Sequence, residues 1–585
     1  MAHGENGAFA PCEKLPSVVW GLPPIRHCLL HLRQVQVAGS DNDTVTFSGN
    51  SASYSGAIYG ESSSSILLSG NGKLTFVGNK ASSSQDGAIH GDSYSTITLS
   101  DNDSVEFRGN SASSGCAIYI GNSGILSIQN NDRVLFEKNA QVNNGVYRLC
   151  SIYSSGRISL STAEGKSIEF RDSVWCSTVE LNADYTDAEG VEHKQTGDII
   201  FTGATTEEDL LAVKGSAGTA SEILNSRTST ISSATLYGGR LRVEDGAILS
   251  VSNLTVADNS HATLFLKDGT IKGGVTIGAT GTLRLSGENT IQQSSYLTMS
   301  EDSCMQMNLG AVNIDGNAVL TINGLNTGNF TLHMADSGYL ATGDYKLITS
   351  TEEYDISGWT LRGAEADQLT WKNGTLYYKG GHDWNHMVKG GDVVRESYAG
   401  NLIVSDGTVT LNKSVTVNAI EGVEKTGHLV INKGNLHVTS ESSVRGDVMV
   451  REGGALLNDG SLENCITMTG GKVSGSGVFA GIDMTGGKLV VGNSPGMQSY
   501  TGTANLTEGT VVFSVAGKTA ASEGNSGWGS GTYSTIDMMG NTLTFGADVS
   551  IEIALGGEAL VSCLNAADAK PYELQLAIAQ NIGNA

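Results

Sequence analysis

The sequence predicts an all-β chain wound as a right-handed parallel β-helix. This is a three-sided solenoid, read here as a single elongated rod with short turns and few helices. Three observations carry the prediction. One phrase is respelled at a nearly fixed period: "FSGNSASYSGAIYG" from Phe47, "FVGNKASSSQDGAIHG" from Phe76 and "FRGNSASSGCAIYIG" from Phe107. Each copy holds three short apolar segments separated by polar turns; in the first they are "TVTF", "GAIY" and "SILL". The composition suits short strands and tight turns, with 76 Gly against 6 Pro and 16% charged residues, where an average soluble chain has roughly 25%. A chain of 585 residues is too long for one compact core, so it divides into domains or grows by repetition. The regular return of the phrase points to repetition. With 39% hydrophobic letters recurring at strand spacing, disorder is the weaker reading.

The first element is the repeat itself. Phe47, Phe76, Phe107 and Phe136 follow one another at nearly equal intervals, and each opens F-x-x-N with Asn50, Asn79, Asn110 and Asn139. A G-A-I phrase or variant follows: Gly56-Ala57-Ile58, Gly87-Ala88-Ile89, Cys116-Ala117-Ile118 and Gly145-Val146-Tyr147. Stacked coils place equivalent residues about 4.8 Å apart. Phe in every coil then forms an inward aromatic stack, and Asn forms an amide ladder in which each side chain bonds the next. Gly before Ala is expected to supply positive φ at a corner, with Ala leaving room where the walls converge. One coil cannot bury its inner face alone, so the repeats need each other.

Downstream the coils are plainer and shorter. Thr263-Leu264 returns as Thr282-Leu283, and "ITMTGGK" from Ile466 returns as "IDMTGGK" from Ile482. Alternation of aliphatic and polar letters is clear at 428–440 and 448–457. "TEEDLLAVKG" at 206–215 is at best one or two helical turns. The expected organisation is an atypical, non-native or disordered segment over 1–39 and the four-repeat β-helix over 40–200. A continuation with plainer coils follows over 201–385, then a second module over 386–510 and the start of a truncated further module over 511–585. At about 20–30 residues per coil the rod holds on the order of twenty coils and is roughly 100 Å long.

Charge and cysteine bound the partners. The formal net charge of −25 argues against nucleic acid, which needs Lys/Arg clusters, and against anionic membranes. Asp41-Asn42-Asp43 and Asp101-Asn102-Asp103 look like partial Ca²⁺ ligand sets, but neither continues into an EF-hand loop; turn residues are the simpler reading, and no cofactor is expected. The eight cysteines contain no C-x-x-C, so zinc and thioredoxin-type signals are missing. Cys150 and Cys176 lie about one long repeat apart, and stacking could bring them together. The longest apolar run is far short of a membrane-spanning helix. Residues 1–39 hold four of the six prolines and lack the clean features of a signal peptide.

F-x-x-N paired with G-G-A-[ILV] resembles the repeats of the polymorphic outer membrane proteins. The copies depart from that pattern at Ser55, Asp86 and Cys116. "GDIIFTG" at 197–203 and "TSTISSATLYGGRLRVEDGAILSVSNLTV" at 228–256 are similar to that family's middle section, and "GGKLVVGNSPGMQSYTGTANLTEGTVVF" resembles autotransporter passengers. The resemblance spans about residues 40–510. It implies a passenger displayed on a Gram-negative-type surface or secreted, often an adhesin, carried by a C-terminal β-barrel. This sequence contains no run of alternating strands of the kind such a barrel needs, so membrane attachment is expected only through a barrel outside it. The implied partners are a host-cell surface, a glycan or a neighbouring surface protein.

Candidate chemistry is sparse. Parallel β-helices also house polysaccharide lyases and hydrolases, whose sites need converging carboxylates with a basic neighbour. Candidates are Asp383 with His382 and His386 in "GHDWNH", and Glu207-Glu208-Asp209. His-x-x-x-His binds metal on a helix, but here it lies in a Gly-flanked loop. One adhesive tripeptide occurs, Arg445-Gly446-Asp447, between two strands where a turn would expose it. The expected function is therefore a non-enzymatic adhesin or surface-contact protein. The alternatives are a polysaccharide-acting enzyme and a purely structural surface-layer component.

Overall fold

The computed structural model describes residues 18–20, 30–52, 55–81, 87–113, 116–143, 146–186, 191–203, 222–224, 228–257, 262–292, 296–311, 316–335, 337–493, 496–515, 534–555, 577–578 and 581–584. The chain forms two units. The first comprises 1–307, 318–334 and 346–377; the second comprises 308–317, 335–345 and 378–585. Each is a parallel β-helix. Among the described residues, helix is confined to the single 3₁₀ turns Leu309–Ala311, Ser337–Tyr339 and Ala366–Gln368.

In the first unit the repeated phrase sets the register. Coils pair in parallel with Phe47 on Phe76, Phe76 on Phe107 and Phe107 on Phe136. The rings stack face to face with centroids 4.7–4.8 Å apart, which is the interstrand spacing itself. Two further rings, Phe170 and Phe201, extend the column at 5.0 and 5.1 Å. Beyond Phe201 the same position is filled by Val243, Leu266 and Leu285, and coils shorten. Two aliphatic columns complete the core, such as Ile66, Ile97, Leu126, Ile158 and Val179. The expected pairing of Thr263 with Thr282 and Leu264 with Leu283 is present as read.

The asparagines form the expected ladder. Asn50 Nδ2 donates to Asn79 Oδ1 at 2.8 Å, Asn79 to Asn110 at 2.9 Å and Asn110 to Asn139 at 2.9 Å. The main-chain N–H of each rung donates to the same oxygen. Each Nδ2 also donates to a Phe carbonyl of the preceding coil: Asn79 to Phe47, Asn110 to Phe76 and Asn139 to Phe107. These amides are buried yet fully used, which is what burial of a polar group requires.

Four expectations need correction. Gly56 and Gly87 do not take positive φ; that conformation belongs to Gly49, Gly78 and Gly109 of F-x-G-N, and to Lys138, which holds φ 59° without being glycine. Gly56 and Gly87 are needed for close approach instead: a Cβ would stand 2.2 Å from the Gly87 carbonyl oxygen or 2.7 Å from the Ser111 nitrogen. The fourth G-A-I phrase is not Gly145-Val146-Tyr147. A hairpin inserts there, with Ala140–Asn143 antiparallel to Val146–Leu149, and Ile118 stands on Ile152. The fourth phrase is Cys150-Ser151-Ile152, which explains the cysteine bridge. Cys116 bonds Cys150 across adjacent coils at equivalent register; Cys176 is buried and free, facing Ser154 and not Cys150. Finally, parallel pairing begins before residue 40, since Val18 pairs with Val45 and Leu30 with Ile58; the rest of the 1–39 reading lies outside the described residues.

The second unit also winds three strands per coil. One row runs through Asn401–Asp406, His428–Ile431, Asp447–Val450, Ile466–Met468 and Ile482–Val490. Leu402, Leu429, Val448, Ile466 and Ile482 stack inward along it. The two T-G-G-K phrases pair in register, Ile466 on Ile482 and Lys472 on Lys488. The strand Ala504–Val515 runs through the seam expected at 510/511, and Thr542–Leu555 pairs with it along its length.

Three outcomes test this fold by urea unfolding at pH 7. Gly87→Ala should cost about 1–3 kcal/mol, because its neighbour is backbone and cannot yield, whereas Lys138→Gly should raise stability by about 0.5 kcal/mol by removing the left-handed penalty. Serine at both Cys116 and Cys150 should lower stability by about 2–4 kcal/mol, the range for a loop this long; peptide mapping without reductant should recover the 116–150 pair, and a 150–176 pair would contradict the register.

Candidate contact surface

The letters that repeat are scaffold. Phe47, Phe76, Phe107 and Phe136 are buried, as are Ala57-Ile58, Ala88-Ile89 and Ala117-Ile118. Ser55 sends its hydroxyl to the carbonyls of Ile58 and Ala88, both at 2.8 Å, and so ties two coils. A second ladder is absent from the sequence reading. Asn71 donates to Asn102 and Asn102 to Asn131, both at 2.8 Å. The signal is present, since these residues keep the same intervals as the first ladder. It assigns Asp101-Asn102-Asp103: the central amide is buried in the ladder, while Asp101 accepts Asn130 Nδ2 at 2.6 Å on the exposed side. The side chains of Asp41-Asn42 lie outside the described residues. Among those described, no three His, Cys, Asp or Glu groups converge as a metal set.

One outward column is aromatic. The residue after each repeated Ile points away from the core by strand alternation. Tyr59, His90, Tyr119, Tyr153 and Trp175 therefore line one outer wall in register. Their centroids are 4.7, 4.9, 5.8 and 6.1 Å apart. The first three pairs are stacked, with His90 buried between Tyr59 and Tyr119 and the other rings half-buried; Trp175 stands edge-on to Tyr153 and carries the Arg148 guanidinium 5.3 Å from its centroid. Sequence reasoning misses the column because its residue varies between Tyr, His and Trp, and the last follows Val174 and not an Ile.

The tripeptide lies at a corner of the second unit. Arg445 ends the strand Ser443–Arg445 and Asp447 begins Asp447–Val450. Their side chains are 72% and 62% exposed. Arg445 Nε meets Glu463 at 3.1 Å, and Asp447 accepts Asn464 Nδ2 at 3.0 Å. Gly446 has φ 131° and a Cβ there would meet the Val417 carbonyl at 2.9 Å, so the corner itself demands glycine.

"GHDWNH" does not assemble a site. His382 stacks on Trp384 at 4.3 Å, Asp383 accepts the Thr342 hydroxyl at 2.7 Å and His386 Nε2 lies 2.9 Å from the Ala399 carbonyl. The three side chains are held by separate partners, and Asn385–Lys389 is a strand. Glu207-Glu208-Asp209 and the 206–215 segment lie outside the described residues.

Carboxylates do gather on another outer wall of the first unit. Glu106 pairs with Lys73 and Arg108, each at 3.2 Å. Glu137 pairs with Arg108 and, at 2.8 Å, with Arg171, which also holds Glu169 at 2.7 Å. Further along, Asp198 pairs with Arg240 and Arg242, and Arg242 with Glu244. Burial disfavours the charge on Glu106, but Arg108 and Lys73 outweigh it and hold the carboxyl below its ordinary value. At Glu244 burial wins over Arg242 and the value is raised. Arg242 and Arg284 lie over the Phe265 ring at 5.4 and 5.1 Å. Alternating signs along a half-buried ladder favour a structural network.

A scan of protein-family models finds none that matches this chain, and a search of curated proteins finds no match.

Proposed function

We propose that the chain is a non-enzymatic contact protein, a passenger of autotransporter type related to the polymorphic outer membrane proteins it resembles. On this reading it is displayed on a cell surface or secreted, and it acts by adhering to a host-cell surface, a glycan or a neighbouring surface protein. The observation that carries the reading is the outward aromatic column from Tyr59 to Trp175. Aromatic residues are enriched in interface cores, and register alone accounts for the stacking of these five positions but not for their being aromatic. The Cys116–Cys150 bridge supports a compartment outside the reducing cytosol. The exposed Arg445-Gly446-Asp447 corner is a second contact candidate.

A second reading, a polysaccharide-acting enzyme, is favoured by one group: Asp198 and Glu244 on one wall with Arg240 and Arg242 between them. Their mutual ion pairing and burial argue for the structural role.

The full chain, labelled, is to be applied to cultured epithelial cells and to a polyuronide panel. Saturable cell binding should fall at least tenfold with Tyr119→Ser and Tyr153→Ser combined, and fall with Asp447→Glu only if the tripeptide takes part. Unsaturable binding that neither change alters contradicts the contact reading. Polyuronide cleavage abolished by Glu244→Gln would replace it with the second.

A further inference from the structure

The Asn50–Asn139 ladder does not end on asparagine. Its fifth rung is Asp172, buried in the sequence Phe170-Arg171-Asp172-Ser173 of the next coil. Oδ2 of Asp172 accepts the Asn139 main-chain N–H at 2.9 Å and Asn139 Nδ2 at 3.0 Å, the same pair of donors that Asn139 Oδ1 receives from Asn110. Oδ1 accepts the Lys138 N–H at 2.9 Å, and the Ser151 hydroxyl reaches Oδ2 at 3.4 Å. In the preceding coils the N–H at the Lys138 position goes to a main-chain carbonyl instead: Gly78 to Arg108 and Gly109 to Glu137. A carboxylate cannot donate onward as an amide does. The Phe136 carbonyl, to which a fifth asparagine would donate, accepts the Arg171 N–H at 3.0 Å.

A neutral asparagine would propagate this ladder; an anion terminates it. We propose that Asp172 is a proton-operated terminator: ionised, it clamps the left-handed turn at Lys138–Asn139 with four donors, and on taking a proton it releases part of that clamp. The protonated group carries an O–H that must donate; of its neighbours only the Ser151 hydroxyl oxygen can turn to accept it, and the neutral carboxyl then holds its Asn139 and Lys138 donors more weakly than the anion does.

The charged groups on the surrounding elements do not intrude. Glu137, Glu169 and Arg171 pair with one another on the outer wall. Arg148, on the inserted hairpin, lies over Trp175. Lys138 meets the carboxylate through its main-chain N–H. Cys150, beside Ser151, is held in the bridge. Burial is the largest influence on Asp172 and, against the hydrogen bonds from Asn139, Lys138 and Ser151, pushes its carboxyl up from 3.8 to about 6.

The sign follows. The folded value lies above the unfolded one, so the folded chain binds the extra proton between about pH 6 and 4, and this group's contribution to stability rises as pH falls through that window. Acidification thus loosens one turn locally while relieving the fold of a buried charge.

The experiment uses the full disulfide-bonded chain and Asp172→Asn, with urea unfolding and amide hydrogen exchange followed from pH 4 to 7.5. Between pH 7 and 4.5 the wild-type folding equilibrium should gain roughly 25-fold relative to Asp172→Asn. Exchange in the 137–139 peptide, corrected for intrinsic rates, should quicken below about pH 6 in the wild type only. Parallel profiles in the two proteins would overturn the proposal. Should Asp172→Asn not fold, the wild type alone decides: no inflection of 137–139 exchange between pH 5 and 7 overturns it equally.

Discussion

Everything in this molecule depends on one contact, the meeting of each coil with the next at the interstrand spacing. A single coil is a loop of three short strands with an apolar lining and no partner of its own. It becomes stable only when Phe lies on Phe, Ile on Ile and amide on amide in the neighbouring coil. The Phe47–Phe201 column shows how strict this is, since its centroid separations stay within 4.7–5.1 Å over six coils. A face-to-face stack is not the arrangement two free rings prefer; the backbone ladder imposes it. The amide ladder has the opposite character. Asparagines want that spacing, because one amide both accepts from the coil before it and donates to the coil after it.

This constraint sorts every residue into two classes. Inward positions and corner amides are fixed by stacking and therefore repeat. Outward positions are released from it and therefore vary, save where they stack on each other, as the Tyr59–Trp175 column and the Glu106–Arg171 wall do. A column of like residues on an outer wall is thus a by-product of register, but its chemistry is not dictated by packing. That is why the outer columns are where contact or catalysis would reside, and why the most conspicuous motif is neither.

Much of this is legible in the sequence because stacking writes itself as period. Phe47, Asn50, Ile58 and their successors read as core and ladder, and so they stand. What is lost has physical causes. The hairpin after Ala140 lengthens the interval between Phe136 and Phe170 beyond those that precede it; strict counting then lands on Gly145, inside the insertion, and misses Cys150-Ser151-Ile152. The Cys116–Cys150 bridge is hidden by the same slip. Asp172 is invisible because a carboxylate replaces an amide one position early. The roles of the glycines are exchanged, because letters do not distinguish a residue that needs positive φ from one that needs an absent Cβ. The tripeptide corner lies as read, between two strands, but its glycine has a structural reason of its own.

The coupling of successive rungs is the claim on which the rest stands, and a double-mutant cycle measures it directly. Asn79→Ala, Asn110→Ala and the double variant are to be compared by urea unfolding, with Asn79→Ala and Asn102→Ala, on separate ladders, as the control pair. Rungs that bond each other should show a coupling of about 1 kcal/mol or more, within the range for residues in one hydrogen-bond network, and the control pair should be additive to within about 0.5 kcal/mol. Additivity in both cycles would mean that the asparagines do not support one another, and the coil-on-coil ladder would have to be abandoned as the element that sets the register.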